Sequence, residues 1–156
     1  MHQSIINFTN IQNSIKENQE KTNNKNDIKI IAVSKTFEIS HINPLIEYGH
    51  KDFGENKVQE AIEKWSDIKI KNQNLSLHLV GKLQSNKTKL ALKIFDYIHS
   101  LDNEKLANKI SEEQKKIDKK PKLFIQVNIG NEDQKSGINP NKLKSFYKYC
   151  LDKDLD

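Results

Sequence analysis

Short apolar segments alternate along this chain with segments of helical periodicity, and the alternation restricts the folds that the chain can adopt. Strands are predicted at residues 28–34, 51–54, 75–81, 95–101 and 123–129. Helices are predicted before, between and after them, including residues 2–18, 58–65, 106–117 and 139–151. A helix followed by five strand–helix units predicts parallel strands joined by right-handed crossovers, and therefore an α/β fold.

Five strand–helix units are compatible with two architectures, an open doubly wound sheet and the first part of a TIM-type (β/α)8 barrel. No strand is followed by a G-x-G-x-x-G fingerprint or a P-loop, so the usual nucleotide signatures of open sheets are absent. A whole barrel takes about 250 residues, whereas this sequence stops at Asp156, just after a predicted helix. We therefore expect residues 1–156 to form a single barrel domain of the first five or so β-α units, incomplete at its C-terminal end.

Composition argues against several classes of protein. The net charge is +5, and all 26 basic residues are Lys. Proteins that read nucleic acid rely on Arg for bidentate contacts, so no nucleic-acid partner is expected. No apolar run approaches the roughly 20 residues that cross a bilayer, and the N-terminus lacks the features of a signal peptide. The single cysteine, Cys150, cannot form an internal disulfide. We expect a cytoplasmic, monomeric protein with no membrane partner.

Lys35 directly follows the first predicted strand. Functional residues of parallel α/β folds gather at the carboxyl ends of the strands. Burial there lowers the pKa of a lysine, and its neutral amine can then attack a carbonyl group and form a Schiff base. The alternative is a lysine that only ends a strand and extends its ammonium group into water.

Other polar residues occupy similar positions, and each has a structural alternative. Asn56 and its neighbour Glu55 can bind a ligand or cap the next helix. His78 lies within the third strand, where it can contact a ligand ring or be a satisfied core histidine. Asn128 ends the fifth strand and is expected to point into the barrel. Lys135 follows in a loop, as a second amine or as a solvated lysine.

Four short motifs stand at the predicted strand ends. They are residues 31–36 (IAVSKT), 53–60 (FGENKVQE), 78–87 (HLVGKLQSNK) and 126–129 (QVNI), the last followed by 135–137 (KSG). In order and spacing they resemble the YggS/PROSC family, the pyridoxal 5′-phosphate (PLP) homeostasis proteins. One such motif alone is weak, but four in sequence, from about residue 28 to the end, make the resemblance highly specific.

The resemblance implies a fold like the barrel domain of bacterial alanine racemase, without that enzyme's second domain. It implies that PLP is the cofactor and that Lys35 carries it as a Schiff base, with Asn56, His78 and Asn128 as further cofactor-binding residues. No catalytic residue and no metal site are predicted. The implied function is to store, deliver or buffer PLP, with PLP-dependent apo-enzymes as recipients.

Two alternatives stay open. The first is a PLP-dependent enzyme such as an amino-acid racemase, which needs a second base; Lys135 is a candidate. The second is a truncated fragment without function. In the family the phosphate of PLP is held near strands six to eight, by a Ser-rich turn and an Arg-Ile-Gly strand that this sequence lacks. The sequence therefore predicts a chain that is unstable or binds PLP weakly on its own, because an incomplete barrel exposes sheet edges.

Overall fold

The computed structural model describes residues 2–130 and 136–156. The elements in chain order are α1 Gln3–Thr22, β1 Ala32–Val33, α2 Ile39–Glu47, β2 Asp52–Glu55, α3 Val58–Lys71, β3 Ser76–Leu79, α4 Thr88–Ile94, β4 Tyr97–Leu101, α5 Glu104–Ile117, β5 Lys122–Ile125 and α6 Leu143–Asp152. Short 3-10 turns precede α4 and α6, at Ser85–Lys87 and Pro140–Lys142. The predicted order, one helix and then five strand–helix units, is confirmed.

The five strands form one parallel sheet in the order β1-β2-β3-β4-β5. A doubly wound sheet reverses its strand order part-way, and no reversal occurs among these strands. Neighbours in space are neighbours in sequence, so right-handed crossovers place the connecting helices on one face of the sheet. This is the arrangement of a barrel wall, and it decides between the two predicted architectures in favour of the barrel.

The two faces of the sheet differ in what covers them. Side chains alternate between the faces along a strand. Phe53, Leu77 and Ile98 point toward the helices and are buried, and the ring of Phe53 lies 4.9 Å from that of Trp65 on α3. The opposite face corresponds to the interior of a barrel, and we call it the inner face. The main core lies between the sheet and the helices.

Strand β1 is shorter than predicted. Its pairing with β2 covers only Ala32 opposite Phe53 and Val33 opposite Gly54. In this register the first residues of the predicted segment, which include the exposed Ile28, extend beyond the start of β2. An edge strand has one neighbour, so residues past that neighbour's end have no ladder to join.

Helix ends follow the local chemistry of their residues. Gly49, which follows the C-cap of α2, has a φ of 99°, a left-handed conformation that glycine adopts without strain. Asn139 accepts a hydrogen bond from the amide of Asn141 at the turn that begins the last helical segment. None of the helices within residues 2–130 and 136–156 is both long and apolar enough to cross a membrane.

Candidate functional site

Three of the predicted site residues lie at one edge of the sheet. Lys35, Asn56 and Asn128 follow β1, β2 and the end of β5 respectively. Because the strands are parallel, their carboxyl ends meet at the same edge. Asn128 was predicted to end the fifth strand, but β5 ends at Ile125 and Asn128 lies three residues beyond it. The role of all three residues toward a cofactor stays a prediction. His78 lies elsewhere, inside β3.

Lys35 occupies the second position of a tight turn that runs from Ser34 to Phe37. The amide of Phe37 donates to the carbonyl of Ser34 at 3.2 Å and closes the turn. Thr36, in the third position, has a φ of 64°, whereas Lys35 has no positive φ, which is the pattern of a type II turn. The side chain of Lys35 is exposed and, within the described chain, makes no hydrogen bond or ion pair. The expected burial of this lysine is therefore wrong, and its amine is accessible from the edge.

Side chains behind the turn hold it in place. The hydroxyl of Ser34 donates to Glu55 Oε1 at 2.8 Å. Lys64, on α3, donates to the carbonyl of Ser34 at 2.9 Å. Glu60 on the same helix accepts a 2.8 Å hydrogen bond from the amide of Thr36. The residues on both sides of Lys35 are thus tied to β2 and α3.

Glu55 has a structural role that differs from both predicted ones. It is fully buried, and besides Ser34 its Oε1 accepts from Lys64 at 2.9 Å and from the indole of Trp65 at 3.0 Å. It points toward the helices, because it shares a face with Phe53. Helix α3 begins after Lys57 without a side-chain cap. Glu55 therefore neither faces the edge nor caps the helix, and both predicted roles are wrong for this residue.

Asn56 is held by a close backbone contact with Gly81. A Cβ atom at Gly81 would lie 2.2 Å from the carbonyl oxygen of Asn56, so only glycine fits there. Asn56 itself is partly buried, and within the described residues its side-chain amide has no hydrogen-bond partner. The position is compatible with the predicted contact to a ligand at the edge.

His78 lies deeper, on the inner face, within a polar and aromatic cluster. Its Nδ1 is 3.0 Å from His99 Nε2 and its Nε2 is 3.1 Å from Asp52 Oδ1. The ring stacks on Tyr97 at 4.3 Å between centroids, and His99 stacks on Phe124 at 4.5 Å. His78 is only 1% exposed.

The hydrogen bonds of this cluster determine the proton positions. Burial lowers the pKa of His78 and of His99, which favours the neutral rings. Burial alone would raise the pKa of Asp52, but hydrogen bonds from Lys29 and His78 outweigh it, and the pKa is lowered. An ionised Asp52 must accept the Nε2 proton of His78, whose Nδ1 then accepts from His99. No ring nitrogen of His78 remains for a ligand, so the predicted cofactor contact is restricted to the ring carbons.

Asn128 lies after β5, in a segment that pairs with the chain around Ile138. Its backbone N–H donates to the carbonyl of Ile138 at 2.9 Å, and Val127 forms a parallel bridge with Ile138. A Cβ at Gly137 would lie 2.7 Å from the Asn128 nitrogen, so glycine is required in the KSG motif. Lys135, the candidate second amine, lies outside the described residues.

The family of the chain follows from its match to a family model. The model described as alanine racemase, N-terminal domain, matches residues 6–155. The chain belongs to this family. The barrel fold that the strand order indicates is thereby confirmed.

Two known proteins show the similarity in more detail. The pyridoxal phosphate homeostasis protein of Pasteurella multocida is 40% identical over 139 residues, which are 89% of this chain and 58% of the relative. PipY of Synechococcus elongatus has been solved without PLP, with a TM-score of 0.75, 33% identity and coverage of 87% of this chain and 64% of PipY. For the PLP-bound structure of PipY the TM-score is 0.71 and the identity 34%, with coverage of 85% of this chain and 61% of PipY.

These matches confirm the resemblance to the YggS/PROSC family that the four motifs indicate. The chain spans less than two thirds of the length of the proteins that it matches.

Sequence reasoning missed the residues that hold the Lys35 turn from behind. Glu60 and Lys64 both lie on α3. Glu60 is 24 residues from Thr36, which it binds, and Lys64 is 30 residues from Ser34. Both fall on a helix rich in charged residues, where solvent exposure is the ordinary expectation. A usable signal was the i, i+4 spacing of Glu60 and Lys64, which allows the 3.2 Å ion pair between them.

Proposed function

We propose that this chain binds PLP and that Lys35 forms the Schiff base with its aldehyde. The observation that carries the proposal is the position of Lys35, an exposed amine in a tied turn at the carboxyl end of β1. The PLP-bound state of PipY, 34% identical to this chain, supports the choice of cofactor.

The residues at the edge fit the aldehyde end of PLP. PLP, when bound, supplies an aldehyde that reacts with amines and a ring that accepts electrons. Lys35 would hold the cofactor through its accessible amine, since an amine and an aldehyde combine to a Schiff base with the loss of water. The side-chain amide of Asn56 lies at the same edge and has no partner among the described residues, and we assign it a hydrogen bond to the cofactor. We also assign Asn128 to the part of the cofactor site at this edge. We assign His78 a contact with the cofactor through its ring carbons.

We further propose that the protein serves PLP homeostasis in the cytoplasm rather than catalysis. The name of the Pasteurella multocida relative supports this role. The chemistry of the site agrees with it, because the carboxylates of Glu55 and Glu60 are engaged by the turn and by Lys64. PLP-dependent apo-enzymes are the proposed recipients of the released cofactor.

Trapping of the Schiff base tests the proposal. PLP is added to the purified chain, the visible absorbance is recorded, and borohydride reduction followed by peptide mass mapping locates the pyridoxyl group. The expected result is a visible band and one dominant adduct, on Lys35. Lys35→Ala should abolish both, and Lys82→Ala, which removes an exposed lysine beyond β3, should abolish neither. Adducts spread evenly over the lysines would contradict the proposal.

The same preparation tests the racemase alternative. Incubation with PLP and an α-deuterated amino acid should leave the deuterium in place. Its loss to solvent at a rate above that of free PLP would contradict the non-catalytic role.

A further inference from the structure

We infer that Glu60 and Lys64, anchored by Glu55, are positioning residues that hold Lys35 in the geometry needed for covalent attachment. All three bind residues beside Lys35 rather than Lys35 itself, so they act through the chain on either side of it. The inference rests on the proposed Schiff base at Lys35 and adds to it the residues that keep this lysine in place.

Lys64 is the centre of the arrangement. It donates three hydrogen bonds, to the carbonyl of Ser34 at 2.9 Å, to Glu55 Oε1 at 2.9 Å and to Glu60 Oε1 at 3.2 Å. An ammonium group has three donors, so the set is complete. With 11% of its side chain exposed, Lys64 is shielded from water. Its charge is therefore committed to the turn and to the two carboxylates.

Glu60 holds the other side of Lys35. It accepts the Thr36 amide at 2.8 Å, and this hydrogen bond is the largest cause of the lowered pKa of Glu60. Thr36 has a φ of 64°, which a β-branched residue rarely adopts. A residue in that conformation persists only where its surroundings enforce it. The Glu60 carboxylate provides such a restraint at the residue that follows Lys35.

Glu55 connects this arrangement to the sheet. Its Oε1 joins Ser34, Lys64 and Trp65, so the residue before Lys35 is tied to β2 and α3 through one buried atom. The turn is thus restrained at Ser34 by a carboxylate and an ammonium group, and at Thr36 by a second carboxylate. Within the described residues the Lys35 side chain has no partner, as a group that must reach a ligand requires.

The test separates attachment from binding. Stopped-flow absorbance with PLP gives the affinity of the first, non-covalent complex and the rate constant of Schiff base formation. Glu60→Ala should slow the covalent step by about tenfold, because it removes a charge-assisted hydrogen bond to the turn, and should leave the first affinity within about twofold. Glu60→Gln keeps an acceptor for the Thr36 amide and should restore most of the rate.

A second change addresses the strained residue directly. Glycine adopts a positive φ without strain, so Thr36→Gly should restore much of the rate in the Glu60→Ala background. Glu63→Gln is the matched control, because Glu63 is exposed on the same helix and accepts from Gln59 rather than from the turn. It should behave as the unmodified chain.

The outcomes distinguish the inference from the proposal on which it rests. If the unmodified chain forms no Schiff base at Lys35, the proposed function fails and the inference fails with it. If Lys35 is modified but Glu60→Ala keeps the normal rate, the inference alone is overturned. It is also overturned if the rate constants of Schiff base formation in the variants simply follow their melting temperatures, since a purely structural role would give that result.

Discussion

The two faces of the sheet reach burial by different means. On the helix side, Phe53, Leu77 and Ile98 are at most 1% exposed and pack against apolar helix residues. On the inner face, Val33 is 46% and Phe124 51% exposed. His78 is nevertheless buried there, and both of its ring nitrogens are hydrogen-bonded.

The difference assigns separate tasks to the two faces. Apolar packing on the helix side provides the free energy of folding, whereas the inner face offers aromatic rings and polar atoms. The Lys35 turn joins the two, because its anchors Glu55 and Lys64 lie on the helix side while Lys35 ends at the edge. We therefore expect changes on the helix side to reduce stability most. Changes on the inner face should mainly alter how stability depends on pH.

The largest effect is expected for Trp65→Ala. This side chain is fully buried against Phe53 and donates to Glu55, so its removal leaves a cavity and takes away one of the three donors of Glu55 Oε1. The free energy of unfolding should fall by about 3–5 kcal/mol, as measured by urea denaturation. Ile70→Ala on the same helix, where Ile70 is exposed, should change it by less than about 0.5 kcal/mol. Similar losses for both would mean that burial against the sheet does not determine the contribution of a helix-side residue to stability.

A smaller effect is expected for Gly81→Ala. The added Cβ would meet the backbone of Asn56 at 2.2 Å, and backbone cannot yield easily, so we expect a loss of about 1–3 kcal/mol. Gly54→Ala is the comparison, because its Cβ would meet the side-chain methyls of Ile31 at 3.1 Å and Val33 at 3.3 Å. These methyls lie at the open inner face and can shift. Urea denaturation should therefore rank Gly81→Ala as the more damaging change.

Features that follow from the alternation of side chains along a strand could be predicted from the sequence. Contacts between residues far apart in the chain could not. Apolar periodicity located all five strands and the order of the helices. Parity would also have assigned Glu55 correctly, since it lies two residues after Phe53 and therefore shares the helix-side face. The contacts of Glu60 and Lys64 with the turn could not be predicted, because they depend on how α3 packs across the end of β1. The His78–His99 contact depends likewise on the register between β3 and β4.

The inner face should make stability sensitive to acid. Burial lowers the pKa of His78 and of His99 below the ordinary value of 6.5. The unfolded chain then binds protons more readily than the folded one, so stability falls as the pH drops through about 6.5 and levels off below the folded-state pKa values. Replacement of His99 by Asn removes one of these groups. Its plot of urea midpoint against pH should be less steep between pH 7.5 and 5, and an equally steep plot would contradict the assignment.

The smallest effect is expected at the outer end of the same cluster. Lys29 is about half exposed and pairs with Asp52 at 3.0 Å, so Lys29→Gln should cost less than about 1 kcal/mol at pH 7. Because Lys29 lowers the pKa of Asp52, the pair stabilises the fold while Asp52 is ionised, and this contribution is lost as the pH falls through the folded-state pKa. The difference between Lys29→Gln and the unmodified chain should therefore shrink in acid. Lys51→Gln, a change at an exposed neighbour, should show no such convergence.

A loss above about 2 kcal/mol at pH 7 for Lys29→Gln would mean that the pair behaves as a buried one. The inner face would then depend on charge pairing as strongly as the helix side depends on apolar packing.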